Sequence, residues 1–393
     1  MWRAGLERLA GALLPNASLT KLVLGDNYVG PGAAEALGGA VGGGARGLAC
    51  LSLNHVHADG DSDETHALLA PALGDALARS ASLRSVCAAD NVVADTAALA
   101  AGLTASGSLT HLEVTASRAP ASLRALFAAA GAHPALRSLD VSTDWIHFPE
   151  GHPFRGDPLR DGDDPSVLPW PEALRVTLLA SSSLSSLRLH CMMDDPGDAA
   201  AVARGCLPRG GASRGLTFLD LTGCALAGGG ACEALRAAME APGCVLSCLR
   251  FGGRSQLGQP PLAPLSSSDV SHLAEGVAAS GSLTELDLSD LGVCEQGARI
   301  LADALPRAAS LTTLDLTRNA AIGDGCADAL AGGLLQLPRL CGFRALRLFL
   351  NLPQWTPPEL RASRGYTSCG ISERGEEVLR AAAKPRRVCL GRR

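Results

Sequence analysis

Aromatic residues are scarce in this chain of 393 residues: they make up 3% of the sequence, so any hydrophobic core must be built from aliphatic side chains. Lysine is almost missing as well, because only Lys21 and Lys384 occur. A P-loop needs a Gly-Lys-Ser/Thr sequence and a protein kinase needs a strand lysine. Neither lysine has such neighbours, which excludes both classes. No run of about 18 uncharged apolar residues exists, so the sequence predicts no membrane insertion.

The 13 cysteines have neither the spacing of a zinc site nor that of a disulfide framework. Their number is odd, and the Cys-x-x-Cys pattern never occurs. We therefore expect free thiols in a reducing compartment, which favours the cytoplasm and leaves the nucleus or the cytoskeleton open. The formal net charge of −5 argues against a nucleic-acid partner, because a general nucleic-acid binder carries a basic excess.

Leucine, by contrast, is abundant, with 65 residues, and much of it falls into a repeated pattern. The segment Leu311-Thr-Thr-Leu314-Asp-Leu316-Thr-Arg-Asn319 is typical of the form L-x-x-L-x-L-x-x-(N/C/L). Successive copies start 26 to 48 residues apart. We count 11 copies, which begin at Leu19, Leu48, Leu83, Leu109, Leu136, Leu184, Leu216, Leu246, Leu283, Leu311 and Phe343. Self-similarity of this kind predicts a repeat protein.

Each copy predicts a short strand followed by a helix. The Leu-x-Leu alternation puts two side chains on one face of a strand, and the residue between them faces outward. Between copies, segments such as Gly325–Leu334 and Gly297–Leu305 place apolar residues on one stripe of an alanine-rich helix. No single unit can bury its leucines alone, so the units must stack. The Asn or Cys at the ninth position is expected to satisfy backbone groups where the chain leaves the strand.

The segment Thr312–Leu330 resembles the ribonuclease-inhibitor-type leucine-rich repeat. This repeat type forms the C-terminal domains of NOD-like receptors and the body of Ran GTPase-activating proteins. The resemblance covers roughly residues 5–390. It implies an α/β leucine-rich-repeat solenoid of horseshoe shape, with a parallel β-sheet on the concave face and α-helices on the convex face.

We expect residues 1–393 to form a single leucine-rich-repeat domain of about 11 repeats. A helix within residues 1–18 is either an N-terminal cap or a sign that the chain is part of a longer protein. Residues 372–393 are expected to form a C-terminal cap with a basic tail. Residues 254–268 form a Pro/Ser-rich insertion, which is expected to lead to a helix N-cap at Ser268 or Asp269.

A second insertion, residues 145–171, holds four of the 13 aromatic residues and several His and Asp residues. A loop of this length is uncommon and often functional. Its aromatic side chains either cover apolar surface at the edge of the sheet or anchor a partner, and disorder is a third alternative. The candidate anchors are Trp145, Phe148, Phe154 and Trp170.

The residues between the two strand leucines should form a row along the concave face, since parallel strands lie about 4.8 Å apart. The row begins with Val23, Ser52 and Cys87 and then becomes charged. We expect a partner to dock on its charged members, which are Glu113, Asp140, Arg188, Asp220, Arg250, Asp287, Asp315 and Arg347. The competing explanation is that Asp in the pattern L-T-x-L-D-L is a consensus of this repeat type and needs no ligand.

Catalytic and metal-binding patterns are not found in a supporting context. The His/Asp-rich segment at residues 55–66 fails the EF-hand pattern, because Gly and Glu do not fall at loop positions six and twelve. We therefore predict a monomeric, non-enzymatic protein–protein interaction module without a cofactor or metal, whose protein partner the sequence does not identify. The alternatives are a GTPase-activating regulator of a Ran-like small GTPase and the ligand-sensing repeat domain of a larger NOD-like receptor-type protein. The residues that act in Ran GTPase-activating proteins cannot be placed on this sequence.

Overall fold

A computed structural model describes most of the chain. The described residues are 3–27, 31–54, 63–93, 96–116, 120–142, 168–206, 215–253, 262–336, 345–347, 371–383 and 389–391. Strands and helices alternate along them, and the chain divides into two compact units, Met1–Leu189 and His190–Arg393.

The first unit alternates six helices with six strands within its described residues. Its helices are α1 (Arg3–Leu13), α2 (Pro31–Gly43), α3 (Asp63–Arg79), α4 (Thr96–Ala105), α5 (Pro120–Ala132) and α6 (Trp170–Ala180). Its strands are β1 (Lys21–Val23), β2 (Cys50–Ser52), β3 (Ser85–Val93), β4 (His111–Ala116), β5 (Ser138–Ser142) and β6 (Ser186–His190), the last of which ends on the first residue of the second unit.

The second unit repeats the same alternation in the part of it that the structure describes. Its helices are α7 (Pro196–Gly205), α8 (Ala231–Glu240), α9 (Ser267–Ala279), α10 (Glu295–Ala304), α11 (Asp324–Gln336) and α12 (Glu373–Ala383), with a 3-10 turn at Leu305–Arg307. Its strands are β7 (Phe218–Asp220), β8 (Cys248–Arg250), β9 (Glu285–Asp287), β10 (Thr313–Asp315), β11 (Ala345–Arg347) and β12 (Cys389–Gly391).

Within each unit the strands pair in parallel with their neighbours in chain order, and the framework leucines share one register. In the second unit Leu219, Leu249, Leu286, Leu314 and Leu346 lie opposite one another, and each is fully buried. This register is the one that the Leu-x-Leu alternation predicts. The α/β leucine-rich-repeat solenoid, with helices returning between parallel strands, is therefore confirmed. No helix in the described part of the chain is long and apolar enough to cross a bilayer.

Successive helices approach so closely that some contacts leave no room for a side chain. A Cβ atom added at Gly102 in α4 would lie 2.2 Å from the carbonyl oxygen of Gly74 in α3. A Cβ at Gly74 would lie 2.3 Å from the carbonyl oxygen of Ala98. Glycine at these positions allows α3 and α4 to pack backbone against backbone.

Hydroxyl groups join neighbouring repeats at the start of several strands. Ser247 Oγ donates to the carbonyl oxygen of Thr217 (2.9 Å), and Thr284 Oγ1 donates to that of Ser247 (2.8 Å). Thr312 Oγ1 donates in turn to the carbonyl oxygen of Thr284 (2.8 Å). The Thr of L-T-x-L therefore has a structural role, because its hydroxyl bonds a main-chain carbonyl of the preceding repeat.

Buried asparagine side chains satisfy the turn that follows the strand. Asn319 is fully buried, and its Nδ2 donates to the carbonyl oxygens of Leu288 (2.9 Å) and Leu316 (3.0 Å). Its Oδ1 accepts from the amides of Leu291 (3.2 Å) and Val293 (2.9 Å), which belong to the preceding repeat. The role expected for the ninth residue of the pattern is confirmed at this position.

The N-cap of α9 lies two residues before the predicted start. Ser266 is the N-cap, not Ser268 or Asp269, and its Oγ accepts from the amide of Asp269 (3.1 Å). The carboxylate of Asp269 accepts from the amide of Ser266 (3.0 Å), which completes a capping box. These two reciprocal hydrogen bonds satisfy two backbone amides at once, which explains why Ser266 and not the neighbouring Ser268 is the N-cap.

The C-terminal segment for which a cap and a basic tail are expected, residues 372–393, contains α12 and β12. The division into one repeat domain with two insertions stays a prediction, because residues 143–167 and 254–261 lie outside the described part of the chain.

The close contact between α3 and α4 gives a test of the packing. We expect Gly102→Ala to destabilise the protein by about 1–3 kcal/mol, because the added methyl meets main-chain atoms that cannot move away. Gly39 in α2 is the matched control, since nothing lies within 4 Å of its added Cβ. Gly39→Ala should stabilise the protein by up to about 1 kcal/mol. Urea denaturation measures both, and equal effects of the two substitutions would contradict the packing described.

Candidate partner-binding face

The residue between the strand leucines forms a row in each unit, on the face of the sheet that the leucines do not occupy. In the first unit the row is Val23, Ser52, Cys87, Glu113 and Asp140, each opposite the next in register. In the second unit it is Asp220, Arg250, Asp287, Asp315 and Arg347. We call these the first row and the second row. Both follow the register that the sequence predicts.

Each aspartate of the second row uses one carboxylate oxygen to fix the turn after its own strand. Asp220 Oδ1 accepts from the amide of Thr222 (3.0 Å), and Asp287 Oδ1 from that of Ser289 (2.9 Å). Asp315 Oδ1 accepts from the amide of Thr317 (3.0 Å). An asparagine could accept the same hydrogen bond through its Oδ1. The turn therefore explains why a short side chain with an acceptor oxygen occurs here, but it does not explain why that side chain is charged.

Asp220 is the most buried carboxylate of the second row, with 7% of its side chain exposed. Its Oδ2 lies 3.3 Å from His190 Nε2, and Thr222 Oγ1 donates to its Oδ1 at 2.6 Å. Burial alone would raise the pKa of Asp220, but the His190 and Thr222 interactions together lower that pKa below its usual range. Asp220 therefore stays ionised and has its stabilising groups within the protein.

Asp287 and Asp315 lie opposite each other on neighbouring strands. Burial raises the pKa of Asp287 above its usual range, and the nearby Asp315 carboxylate raises it further. The bonds from Ser289 and the positive charge of Arg250 lower this pKa, but they offset the rise only in part. Carboxylates that lie directly opposite each other on neighbouring strands repel each other. The folded protein therefore holds an unfavourable negative charge at Asp287.

Arg250 lies between Asp220 and Asp287 in the row, but it bonds a carboxylate outside the row. Its Nε and Nη2 donate to Glu285 Oε1 at 3.0 and 2.7 Å. Its guanidinium also lies over the ring of Phe218, 5.4 Å from the ring centre. The described side chains of the second row and Glu285 therefore keep an excess of negative charge.

The first row is closer to neutral. Asp140 Oδ2 lies 3.3 Å from Nη1 of Arg188, so these two candidates form an ion pair. Burial, together with a hydrogen bond to Glu113, raises the pKa of Cys87 to about 11, so this thiol stays protonated. The negative charge of the described rows is therefore concentrated in the second unit.

The remaining candidates separate into two groups. Trp170 is fully buried and stacks on Phe127, with 5.8 Å between the ring centres. It begins α6, where Pro171 occupies the first turn, so it belongs to a helix and not to an exposed loop. A buried ring offers no surface to a partner, which corrects its placement among the anchors. Trp145, Phe148 and Phe154 and the side chain of Arg347 lie outside the described residues.

Sequence reasoning missed Glu285 and Phe218, which hold Arg250. Both lie at the position two residues before the row, and the register places this position of each strand beside that of the next. The sequence could have indicated both residues, because side chains two residues apart on a strand share a face.

The repeat assignment also follows from comparison with known proteins. The family model described as "Leucine Rich repeat" matches residues 308–331, which include β10 and the first part of α11. This match assigns a leucine-rich repeat to these residues, in agreement with the solenoid fold described above. No curated protein matches its sequence.

Solved structures of repeat proteins are similar to this chain at low identity. The leucine-rich repeat-containing protein LegL7 from Legionella pneumophila is 14% identical with a TM-score of 0.43, and the match covers 84% of each chain. A chain of the yeast Rad7–Elc1 complex is 14% identical with a TM-score of 0.43, over 95% of this chain and 89% of that one. A chain of the TLR13–ssRNA13 complex is 15% identical with a TM-score of 0.38, over 87% of this chain and 35% of that one. Likenesses at this level decide nothing about function.

The charge at Asp287 gives a pH-dependent test. Because its pKa is raised on folding, the wild type loses stability as the pH rises from the ordinary value of 3.8 through the raised one. Asp287→Asn removes this penalty, so it should stabilise the protein by about 0.5–1 kcal/mol at pH 7. The gain should vanish below pH 3.8. Urea denaturation across pH measures it, with the exposed Asp303→Asn in α10 as control. A destabilisation by Asp287→Asn at pH 7 would contradict the repulsion.

Proposed function

We propose that the protein is a non-enzymatic interaction module that binds a basic segment of a partner protein on the second row. The observation that carries the proposal is the Asp287–Asp315 pair. The carboxylates lie on neighbouring strands, and the pKa of Asp287 is raised by burial and by its neighbour. An arginine or lysine of a partner placed between them would remove the repulsion and form charge-assisted hydrogen bonds.

The turn geometry supports a role beyond folding for these carboxylates. Asp287 and Asp315 each fix the turn after their own strand through Oδ1, and an uncharged asparagine would satisfy that bond. A charge that lowers stability and is not needed for the turn is typical of a binding surface. This favours docking on the row over the interpretation that Asp is only a consensus of the repeat.

The finer assignments of the sequence analysis are part of this proposal. We assign the chain to the ribonuclease-inhibitor type on the resemblance of Thr312–Leu330, and residues 145–171 are a second proposed contact. The described cysteines are free, which supports a reducing compartment such as the cytoplasm. In the described part of the chain, no specific observation favours a GTPase-activating role or a sensor role.

Affinity capture from lysate with quantitative mass spectrometry tests the docking surface. The double variant Asp287→Asn/Asp315→Asn keeps the Oδ1 acceptors and removes both charges. We expect it to retain at least about tenfold less of the specific partners, because two charge-assisted contacts are lost. Asp303→Asn, on the helix side of the same unit, should retain wild-type amounts.

The outcome that would contradict the proposal is equal capture of the same partners by the double variant and by Asp303→Asn. A deletion of residues 146–169 tests the second contact separately. A loss of partners in the deletion alone would place binding on that segment and not on the second row.

A further inference from the structure

A cavity of about 520 Å³ opens in the first unit where α2 and α3 end and their following loops meet. Three arginines line it, Arg46, Arg79 and Arg84, together with the glycines that close α2. The volume lies within the range of about 300–1,000 Å³ of small-molecule sites. The cavity belongs to the loop edge of the repeats and takes no part in the second row.

Arg79 is anchored at the last turn of α3. Its Nη2 lies 2.8 Å from Asp75 Oδ2, and its Nε donates to the carbonyl oxygen of Asp75 at 3.4 Å. A Cβ atom at Gly42 would lie 3.1 Å from both Cβ and Nε of Arg79. Glycine at this position therefore leaves the space in which the arginine lies against the end of α2.

Arg84 is held against its own loop, while Arg46 is not held. Arg84 Nη1 donates to the carbonyl oxygens of Ala81 (3.0 Å) and Leu83 (3.3 Å). These bonds use one of its nitrogens, so its other N–H groups remain to bind a ligand. Within the described residues, no hydrogen bond or ion pair engages the side chain of Arg46, which is exposed.

The cavity carries a surplus of positive charge in a chain that is acidic as a whole. None of its lining residues is acidic, and Asp75 is the described carboxylate that contacts its arginines. The serine hydroxyls of the lining fix the loop: Ser82 Oγ donates to the carbonyl oxygen of Leu48 (2.9 Å), and Ser80 Oγ accepts from the amide of Leu83 (3.2 Å). The groups left for a ligand are therefore guanidinium groups.

Helix termini alone do not explain this charge. A basic side chain at a helix C-terminus interacts favourably with the helix dipole, and Arg79 does this for α3. Arg46 and Arg84 lie in the loops beyond the helices, where the dipole effect has fallen off. Planar guanidinium groups arranged around a cavity suit an oxyanion with several acceptor oxygens, and a phosphate group has this geometry.

We propose that the cavity formed by Arg46, Arg79 and Arg84 binds the phosphate group of a small phosphorylated molecule or inorganic phosphate itself. Arg46 and Arg84 supply the charge, and Arg79 supplies N–H groups that Asp75 does not use. The site is independent of the proposed partner-binding row.

Isothermal titration of the full chain with inorganic phosphate and with glucose 6-phosphate, at low ionic strength, tests the site. We expect binding by the wild type and an affinity at least about tenfold lower for Arg46→Gln and for Arg84→Gln. Arg307→Gln, an exposed arginine of the second unit, should bind like the wild type. Tighter binding of glucose 6-phosphate assigns the site to a small organic phosphate, and equal binding assigns it to free phosphate.

A variant that is expected to bind phosphate more tightly tests the site in a way that misfolding cannot imitate, because a misfolded variant would bind phosphate more weakly. Asp75→Asn removes the carboxylate that shares Arg79, so phosphate binding should strengthen severalfold. The proposal is overturned if the wild type gives no heat of binding up to about 1 mM of either probe. It is also overturned if Arg46→Gln binds as well as Arg307→Gln, or if Asp75→Asn fails to bind more tightly than the wild type.

Discussion

The structure depends on the contact between successive repeats, because a single strand and helix cannot bury their own leucines. Leu286 and Leu314 are buried only because the neighbouring strands place further leucines in the same register. The helices follow the strand spacing, and glycines such as Gly74 and Gly102 let their backbones meet. Poor packing between two successive repeats exposes leucines of both repeats. The interface between repeats therefore limits which residues the rest of the structure can accept.

Polar side chains divide into two groups under this constraint. Thr284 and Asn319 bond main-chain groups of the preceding repeat, so they hold the stack together. Asp287 and Asp315 bond the turn of their own repeat through Oδ1. Their charge is left on the open face, and at Asp287 it is unfavourable. This division lets the face vary in chemistry while the stack is preserved, which suits a binding surface.

The repeat period was sufficient to predict the fold, the register and the positions of both rows, because Leu-x-Leu alternation fixes which residues face outward. It was not sufficient to place Ser266 as the N-cap of α9, since neighbouring serines differ only in their pairing with Asp269. The helix start at Trp170 was not predicted, because the aromatic residues of 145–171 indicated a single insertion that included Trp170. The cavity at Arg46 could not be predicted, because it forms where the ends of separate repeats meet in space.

Asp315 and Asn319 lie four residues apart in one repeat and test this division directly. The measurement is the free energy of unfolding of Asn319→Ala and Asp315→Asn in urea at pH 7. The account predicts a loss of about 3–4 kcal/mol for Asn319→Ala, since about four hydrogen bonds near 1 kcal/mol each are removed. We expect a change of less than about 0.5 kcal/mol or a gain for Asp315→Asn, because asparagine keeps the Oδ1 acceptor for the Thr317 amide and removes the charge beside Asp287. A larger loss for Asp315→Asn than for Asn319→Ala would show that the open face holds the fold and would contradict the account.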